Sequence, residues 1–408
     1  MIESIFSGLT TIDPPETFAL MKAFADDQHP EKLFLAIGAY RDDSGKPWVL
    51  PVVRKTEIQV AGDTALDHEY LPLFGYPHFT TAVMELALGK SSKAIQQNRA
   101  VSVQTISCTG SLRLVADLLH QKMKRNIVYF SNPTWHYHAS IFRAAGFTSI
   151  HDYRYWDPEN RCLDISGMLA DLEQAPASSI IVLHACGHNP SGMDPTKEQW
   201  MQIADLMEEK NLVPLFDFAY HGFVSGDPDL DAWAVRYFVD KGFELFVCQS
   251  FSKNFGLYGE RVGNLIIVQQ SSTTSDALLS QLTPLIVTKH LTPGAYGPRI
   301  VAKILNTPTF REEWMENLTT MATRIRKMRQ LLHDKLVTLG TPGNWDHIVQ
   351  QVGMFSYTGL TKNQVSILVQ KYHVYMPKSG RMNMCGLTLA NIDYVAQAIN
   401  GAVIADVA

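Results

Sequence analysis

Four polar stretches, each behind a short apolar run, hold the side chains with chemistry to offer. The run Phe243–Val247 leads into Gln249-Ser250-Phe251-Ser252-Lys253-Asn254-Phe255-Gly256. Aromatic surroundings disfavour an ammonium and lower its pKa, which makes an amine such as Lys253 a nucleophile. The plainer alternative is a lysine stretched along the surface with its head in water. Arg261 follows, a permanent cation able to neutralise a bound anion. Behind Leu212–Phe216 come Asp217 and Tyr220. An aspartate ending a buried strand is costly unless a cation or strong donors meet it. It either caps the next helix or keeps a bound heterocycle protonated. Behind Val101–Ile106 comes Ser107-Cys108-Thr109-Gly110-Ser111, opening a helix. Free N–H groups at such a start favour a phosphate, although an ordinary N-cap has the same look. Behind Ile180–Leu183 comes the turn-rich His184-Ala185-Cys186-Gly187-His188-Asn189-Pro190-Ser191-Gly192. Its two histidines have no carboxylate or Cys/His partner at ligand spacing, so no metal is expected.

Two competing motifs fail on their context. Ser250-Phe251-Ser252-Lys253 satisfies S-x-x-K, and Lys378-Ser379-Gly380 loosely imitates K-T-G, but no S-D-N lies between them. Gly256, Gly259 and Gly263 have the wrong spacing for a dinucleotide fingerprint. A phosphate cup, a nucleophilic lysine, a buried carboxylate, a tyrosine and a spare arginine fit one ligand, pyridoxal phosphate. It requires a Schiff-base lysine and a carboxylate opposite its ring nitrogen.

These residues need a frame. Short apolar strands are expected at Val101–Ile106, Ile127–Phe130, Ile180–His184, Leu212–Phe216 and Phe243–Val247. Helical patterns cover Leu112–Lys124, Ala139–Ala145, Lys197–Lys210 and Asp231–Asp240. That alternation indicates an α/β fold with a mostly parallel central sheet sandwiched by helices. A long amphipathic helix near Glu312–Leu339 follows, then short strands at Gly353–Tyr357 and Val374–Met376 around a helix at Lys362–Lys371. The expected organisation is an N-terminal arm over 1–14 and a large cofactor-binding domain over 48–324. A smaller α+β domain would be built from 15–47 with 325–408.

Composition narrows the classes further. The chain has 408 residues, 46% of them apolar and 18% charged, with a net charge of −5. It is not disordered, and it lacks the basic excess of a nucleic-acid or membrane-surface binder. No apolar run approaches the ~20 residues that span a bilayer. The N-terminus lacks the charge pattern of a secretory or mitochondrial leader. Five scattered cysteines suggest free thiols and a cytoplasmic location.

The sequence resembles the aspartate aminotransferases of fold-type I, most like the animal-type cytosolic branch. The resemblance runs over nearly the whole chain. It is carried by GAYRDDSGKPWVLPVVRKTE (Gly38–Glu57), EYLP (Glu69–Pro72), NPTW (Asn132–Trp135), VLHACGHNPSG (Val182–Gly192), QSFSKNFGLYGERVGNL (Gln249–Leu265) and SGRMNMCGL (Ser379–Leu387). It implies that Lys253 bonds the cofactor and shuttles the α-proton, that Asp217 pairs with the ring nitrogen, and that Tyr220, assisted by Asn189, donates to the phenolic oxygen. Trp135 would stack on the ring. Ser107, Cys108, Thr109, Ser250 and Arg261 would hold the phosphate, with Tyr70 from a second subunit of a homodimer. His138 and His184 would stand behind Asp217. Arg381 would clamp the substrate α-carboxylate beside Gly38, Asn189, Trp135 and Phe355. The implied substrates are an L-amino acid and a 2-oxo acid.

The family also binds the distal carboxylate with an arginine from the partner subunit. Gapless matching of QLTPLIVTKHLTPGAYGPRI (Gln281–Ile300) puts Val287 there, with Leu291 and Thr292 in place of the usual Ser and Asn. Cys108 replaces a usual glycine. Lys289 is the nearest cation that could compensate. Altered side-chain specificity is therefore expected. A racemase or lyase on the same scaffold, and a silent relative kept for binding, are the alternatives.

Overall fold

The computed structural model describes residues 4–407. Its centre is a seven-stranded sheet of β1 (Ala100–Ile106), β2 (Ile127–Asn132), β3 (Ser149–Arg154), β4 (Ile180–His184), β5 (Val213–Phe218), β6 (Leu245–Ser250) and β7 (Val262–Val268). The order across the sheet is β1-β7-β6-β5-β4-β2-β3. Only β7 runs against the others, antiparallel to both β1 and β6. Every residue of β4, β6 and β7 is buried. Alternate side chains divide between two cores: Ile180, Val182, Leu215 and Phe246 enter one, and Ile181, Leu183, Phe216 and Val247 the other. Such double burial is why these strands read as continuous apolar runs.

The antiparallel β7 was not foreseen, and its reason is local. A parallel neighbour needs a long crossover. Residues 251–261 instead turn straight back from β6 to β7. Edge strand β3 was also missed, because His151, Asp152 and Arg154 are exposed and interrupt its apolar pattern. Two strand ends correct the expectation. β5 runs to Phe218 and β6 to Ser250, so Asp217, Gln249 and Ser250 are strand residues rather than loop residues.

Helix α1 (Ser107–Asp117) starts five residues earlier than expected and passes into a π-helical turn at Leu118–Lys122. Helix α2 (His138–Ala145) follows β2. Helix α3 (Ser275–His290) packs on the α1 side of the sheet, and helix α4 (Pro308–Thr338) is the long amphipathic one. Beyond it, Phe355–Tyr357 pairs antiparallel with Arg381–Asn383, and Leu33–Phe34 pairs parallel with Val374–Tyr375. Buried Arg329 of α4 donates to the carbonyls of Ile348, Val352, Gly353 and Phe355, which fastens this ribbon to the long helix. Residues 1–3 of the expected arm lie outside the described residues. Within the rest, Ile5, Phe6, Leu9 and Ile12 are exposed. No helix among the described residues is long and apolar enough to cross a membrane.

Candidate active site

The polar residues gather beyond the carboxyl ends of the parallel strands, where open α/β sheets bind ligands. Asp217 registers with His184 of β4 and Cys248 of β6, so the sheet itself fixes its place. Its carboxylate is buried, 7% exposed. His138 Nε2 lies 3.0 Å from Oδ2, and Cys108 Sγ lies 3.3 Å from Oδ1. Burial pushes this carboxyl up, but the hydrogen bond from His138, with smaller help from that of Cys108, outweighs it and holds the group below its usual value. Asp217 is therefore an anion.

The histidines behind it form an oriented chain. The main-chain N–H of Asn189 donates to His184 Nδ1 at 3.2 Å, which leaves the ring proton on Nε2. Burial lowers the His184 pKa to about 3, so the ring stays neutral. His184 Nε2 is 3.3 Å from Thr134 Oγ1, and that hydroxyl is 2.9 Å from His138 Nδ1. The donors then run one way, from His184 through Thr134 and His138 to Asp217. His138, His184 and Asp217 could also be taken as a metal triad. His138 bonds Asp217 directly, and Thr134 joins His138 to His184.

Lys253 sits between opposite charges. Burial lowers its pKa, against the pull of Cys108 and Asp217, while Arg261 and Arg381 lower it further. Its Nζ lies 5.6 Å from the centre of the Tyr220 ring. Burial, then the charge of Asp217, raises the Tyr220 pKa, so its hydroxyl keeps its proton. Asn189 Nδ2 donates to that hydroxyl at 3.3 Å, while Asn189 Oδ1 accepts from Arg381 Nη1 at 3.2 Å. Asn189 thus bridges the two ends of the site.

Arg381 is 8% exposed, donates to Ala36 O at 2.7 Å, and lies 4.3 Å over the Phe355 ring. Both residues come from the short ribbon, which explains their joint arrival. Gly38 is required here, because a Cβ would meet Phe355 Cζ at 2.8 Å. The Trp135 ring stands edge-on to His138, with centroids 5.3 Å apart.

At the other end, Ser107 opens α1 with φ of 62° and its N–H on Arg261 O at 3.0 Å. Gly263 permits this approach: a Cβ there would stand 2.3 Å from the Ser107 carbonyl carbon. Arg261 Nη1 reaches Ser252 Oγ at 3.4 Å, and Ser252 N donates to Ser250 Oγ at 3.3 Å. Thr109 is exposed on the first turn of α1. Ser252, which joins Arg261 to Ser250, was not singled out, although its place beside Lys253 was the available signal. Asp194, also missed, accepts from the N–H groups of Gly187 and His188 at 2.6 and 2.9 Å and shapes the loop that carries Asn189.

Two expectations change. The Cys108 side chain faces Asp217 rather than the cup. Lys289 is already committed, with Nζ 2.5 Å from Asp117, a fully buried carboxylate that also binds Arg113. Tyr70 is 75% exposed and separate from the bonded cluster on its own chain.

The donor set fits pyridoxal phosphate: a lasting anion for a cationic ring nitrogen, a weakly basic amine between the two ends, and hydroxyls with Arg261 at a helix start for the phosphate. The profile of the family described as aminotransferase class I and II matches residues 30–399. The chain is 50% identical over 397 residues to the cytoplasmic aspartate aminotransferase of Caenorhabditis elegans, covering 97% of each chain. It superposes on the aspartate aminotransferase from Saccharomyces cerevisiae cytoplasm with a TM-score of 0.96 at 45% identity, covering 98% of each. An aromatic-amino-acid aminotransferase from Burkholderia pseudomallei, covalently bound to pyridoxal phosphate, gives a TM-score of 0.95 at 37% identity, over 98% of this chain and 100% of that one. A family profile spanning most of the sequence and half-identity over its full length lead to one conclusion: the chain belongs to the class I and II aminotransferases, within their aspartate aminotransferase branch, and is a pyridoxal-phosphate-dependent enzyme.

Proposed function

We propose that this enzyme moves the α-amino group between an L-amino acid and a 2-oxo acid, with reduced preference for substrates bearing a distal carboxylate. The observation that carries the specificity is Val287, on α3 and 43% exposed, with Lys289 tied to Asp117. No cation remains at the position where the resemblance calls for an arginine.

The assigned roles follow from the charges. When bound, the cofactor supplies an electrophilic aldehyde and a cationic ring that draws in the electron pair left at the substrate α-carbon. Lys253 Nζ, whose hold on a proton burial weakens, would take the α-proton. Asp217 stays anionic and holds the ring nitrogen's proton in place. Tyr220 donates from its protonated hydroxyl, steadied by Asn189. Ser107 through its hydroxyl, Cys108 and Thr109 through α1's main chain, and Ser250, Ser252 and Arg261 would hold the phosphate. Trp135 would stack on the ring. Arg381 grips the α-carboxylate as a bidentate pair, with Gly38 and Phe355 shaping the wall behind it.

The working unit is a homodimer in which Tyr70 completes the partner's phosphate site. Its exposure on its own chain supports this, as does the exposed arm. The expected division into a large domain over 48–324 and a smaller one from 15–47 with 325–408 is supported by the separate ribbon bearing Arg381. A cytoplasmic location accords with the names of the relatives. Reconstitution with pyridoxal phosphate, borohydride reduction and peptide mapping test the assignment. The label is expected on Lys253, and a label elsewhere refutes it.

A further inference from the structure

We propose that Cys108 is a positioning residue that sets how firmly Asp217 holds the cofactor's ring nitrogen, its thiol turning between two acceptors as the site fills. The proposal rests on the cofactor assignment above. Cys108 Sγ lies 3.3 Å from Asp217 Oδ1 and 3.2 Å from the carbonyl oxygen of Cys248. A thiol has one proton and serves one acceptor at a time. Burial, followed by the charge of Asp217, pushes the Cys108 pKa well up, so the group remains a neutral donor. Cys248 is the registered neighbour of Asp217 on the adjoining strand. The sheet therefore holds both acceptors at fixed places, and a turn about one side-chain bond exchanges them.

His138 occupies Asp217 Oδ2, and among the described residues the thiol is the donor that meets Oδ1. A buried carboxylate oxygen without a donor is costly. The thiol fills that need at Oδ1. A cationic ring nitrogen is the stronger donor for a carboxylate. When it takes Asp217, the thiol proton has the Cys248 carbonyl as its alternative. Cys108 therefore shares the charge of Asp217 with any further donor and lessens the carboxylate's hold on that donor, a role that a methyl group in its place cannot perform.

The test compares the wild type with Cys108→Ala and Cys108→Ser, each stripped of cofactor and titrated with pyridoxal phosphate by absorbance. Cys108→Ala is expected to bind the cofactor about three- to tenfold more tightly, the range for one weak donor facing an anion. It should also lower the melting temperature of the cofactor-free chain more than that of the loaded one. Cys108→Ser keeps a donor and should restore wild-type affinity. The S–H infrared stretch assigned to Cys108, by its loss in the alanine variant, should shift when cofactor is added to the wild type. Unchanged or weaker binding by Cys108→Ala, a serine variant that behaves like alanine, or an S–H band indifferent to loading overturns the role. If the variants behave alike while wild type binds cofactor at Lys253, only this inference falls. Wild type that takes up no cofactor overturns the site assignment with it.

Discussion

Val287→Arg is the sharpest perturbation of the specificity argument. A guanidinium at this position on α3 would offer a distal carboxylate two charge-assisted hydrogen bonds, each worth about 1.5–3 kcal/mol. At about 1.4 kcal/mol per factor of ten, the variant should gain on the order of 10²–10⁴ in kcat/KM for aspartate relative to an uncharged amino acid. The full span applies only if no other cation already serves the site. Lys289 is excluded because its ammonium lies 2.5 Å from Asp117, whose carboxylate is wholly buried. Removing Lys289 would leave that carboxylate with Arg113 and Gln121 alone. The assay is the single-turnover absorbance change with amino donor only, so the acceptor's own carboxylate plays no part. Aspartate, alanine and phenylalanine are compared in wild type, Val287→Arg and Lys289→Ala. Lys289→Ala should leave the aspartate-to-alanine ratio unchanged and lower the melting temperature. A wild type that strongly prefers aspartate, or a Val287→Arg ratio within threefold of wild type, refutes the reasoning.

Asp217→Asn removes the anion opposite the ring nitrogen and should cut the single-turnover rate by about 10²–10³, the range for one preorganised electrostatic group; a loss below tenfold contradicts its role. Arg381→Ala should weaken amino-acid binding by on the order of 10²–10⁴, chiefly as a raised KM, while leaving the absorbance of the lysine-bound cofactor intact. Stability should fall once the pH drops below about 6.5. His184 is held down at about 3, and His221 and His347 at about 4, all by burial. These rings stay neutral in the fold and gain protons on unfolding, so their contribution is complete above the unfolded value and is lost on acidification. Each costs up to about 1.4 kcal/mol per pH unit. Asp194, pushed up to about 6 by burial, works in the opposite direction below that value. Urea midpoints at pH 7, 6 and 5 measure the balance, and a flat profile would count against these assignments.

The buried frame was legible because β4, β5 and β6 are apolar on both faces and declare themselves as runs. Lys253 and Asp217 were legible for a different reason: each is an ionisable group set behind an apolar run, a costly choice that signals use, whereas Arg381 was legible only through the resemblance carried by SGRMNMCGL. What stayed hidden depends on contacts distant in sequence. Nothing near Cys108 announces that its thiol meets Asp217, 109 positions away. The ion pair of Lys289 with Asp117 joins α3 to α1 across the outer core, and no local pattern encodes it. The direction of β7 was not foreseen because the brevity of the connection before it sets it, not its composition. Asp194 looked like an ordinary loop carboxylate, since its partners are main-chain amides that carry no sequence signal.

The return from β6 to β7 carries both Lys253 and Arg261, with the two strands bonded side by side. Lys253 and Arg261 thus sit on one short connection clamped at both ends by paired strands, which limits how far their spacing can change. Arg381 belongs to a different ribbon, fastened through Arg329 to the long helix. A shift of that ribbon against the sheet would move Arg381 while leaving the spacing of Lys253 and Arg261 unchanged. Evolution can therefore retune what the enzyme accepts while that spacing holds, which is the latitude that a valine at position 287 would exploit.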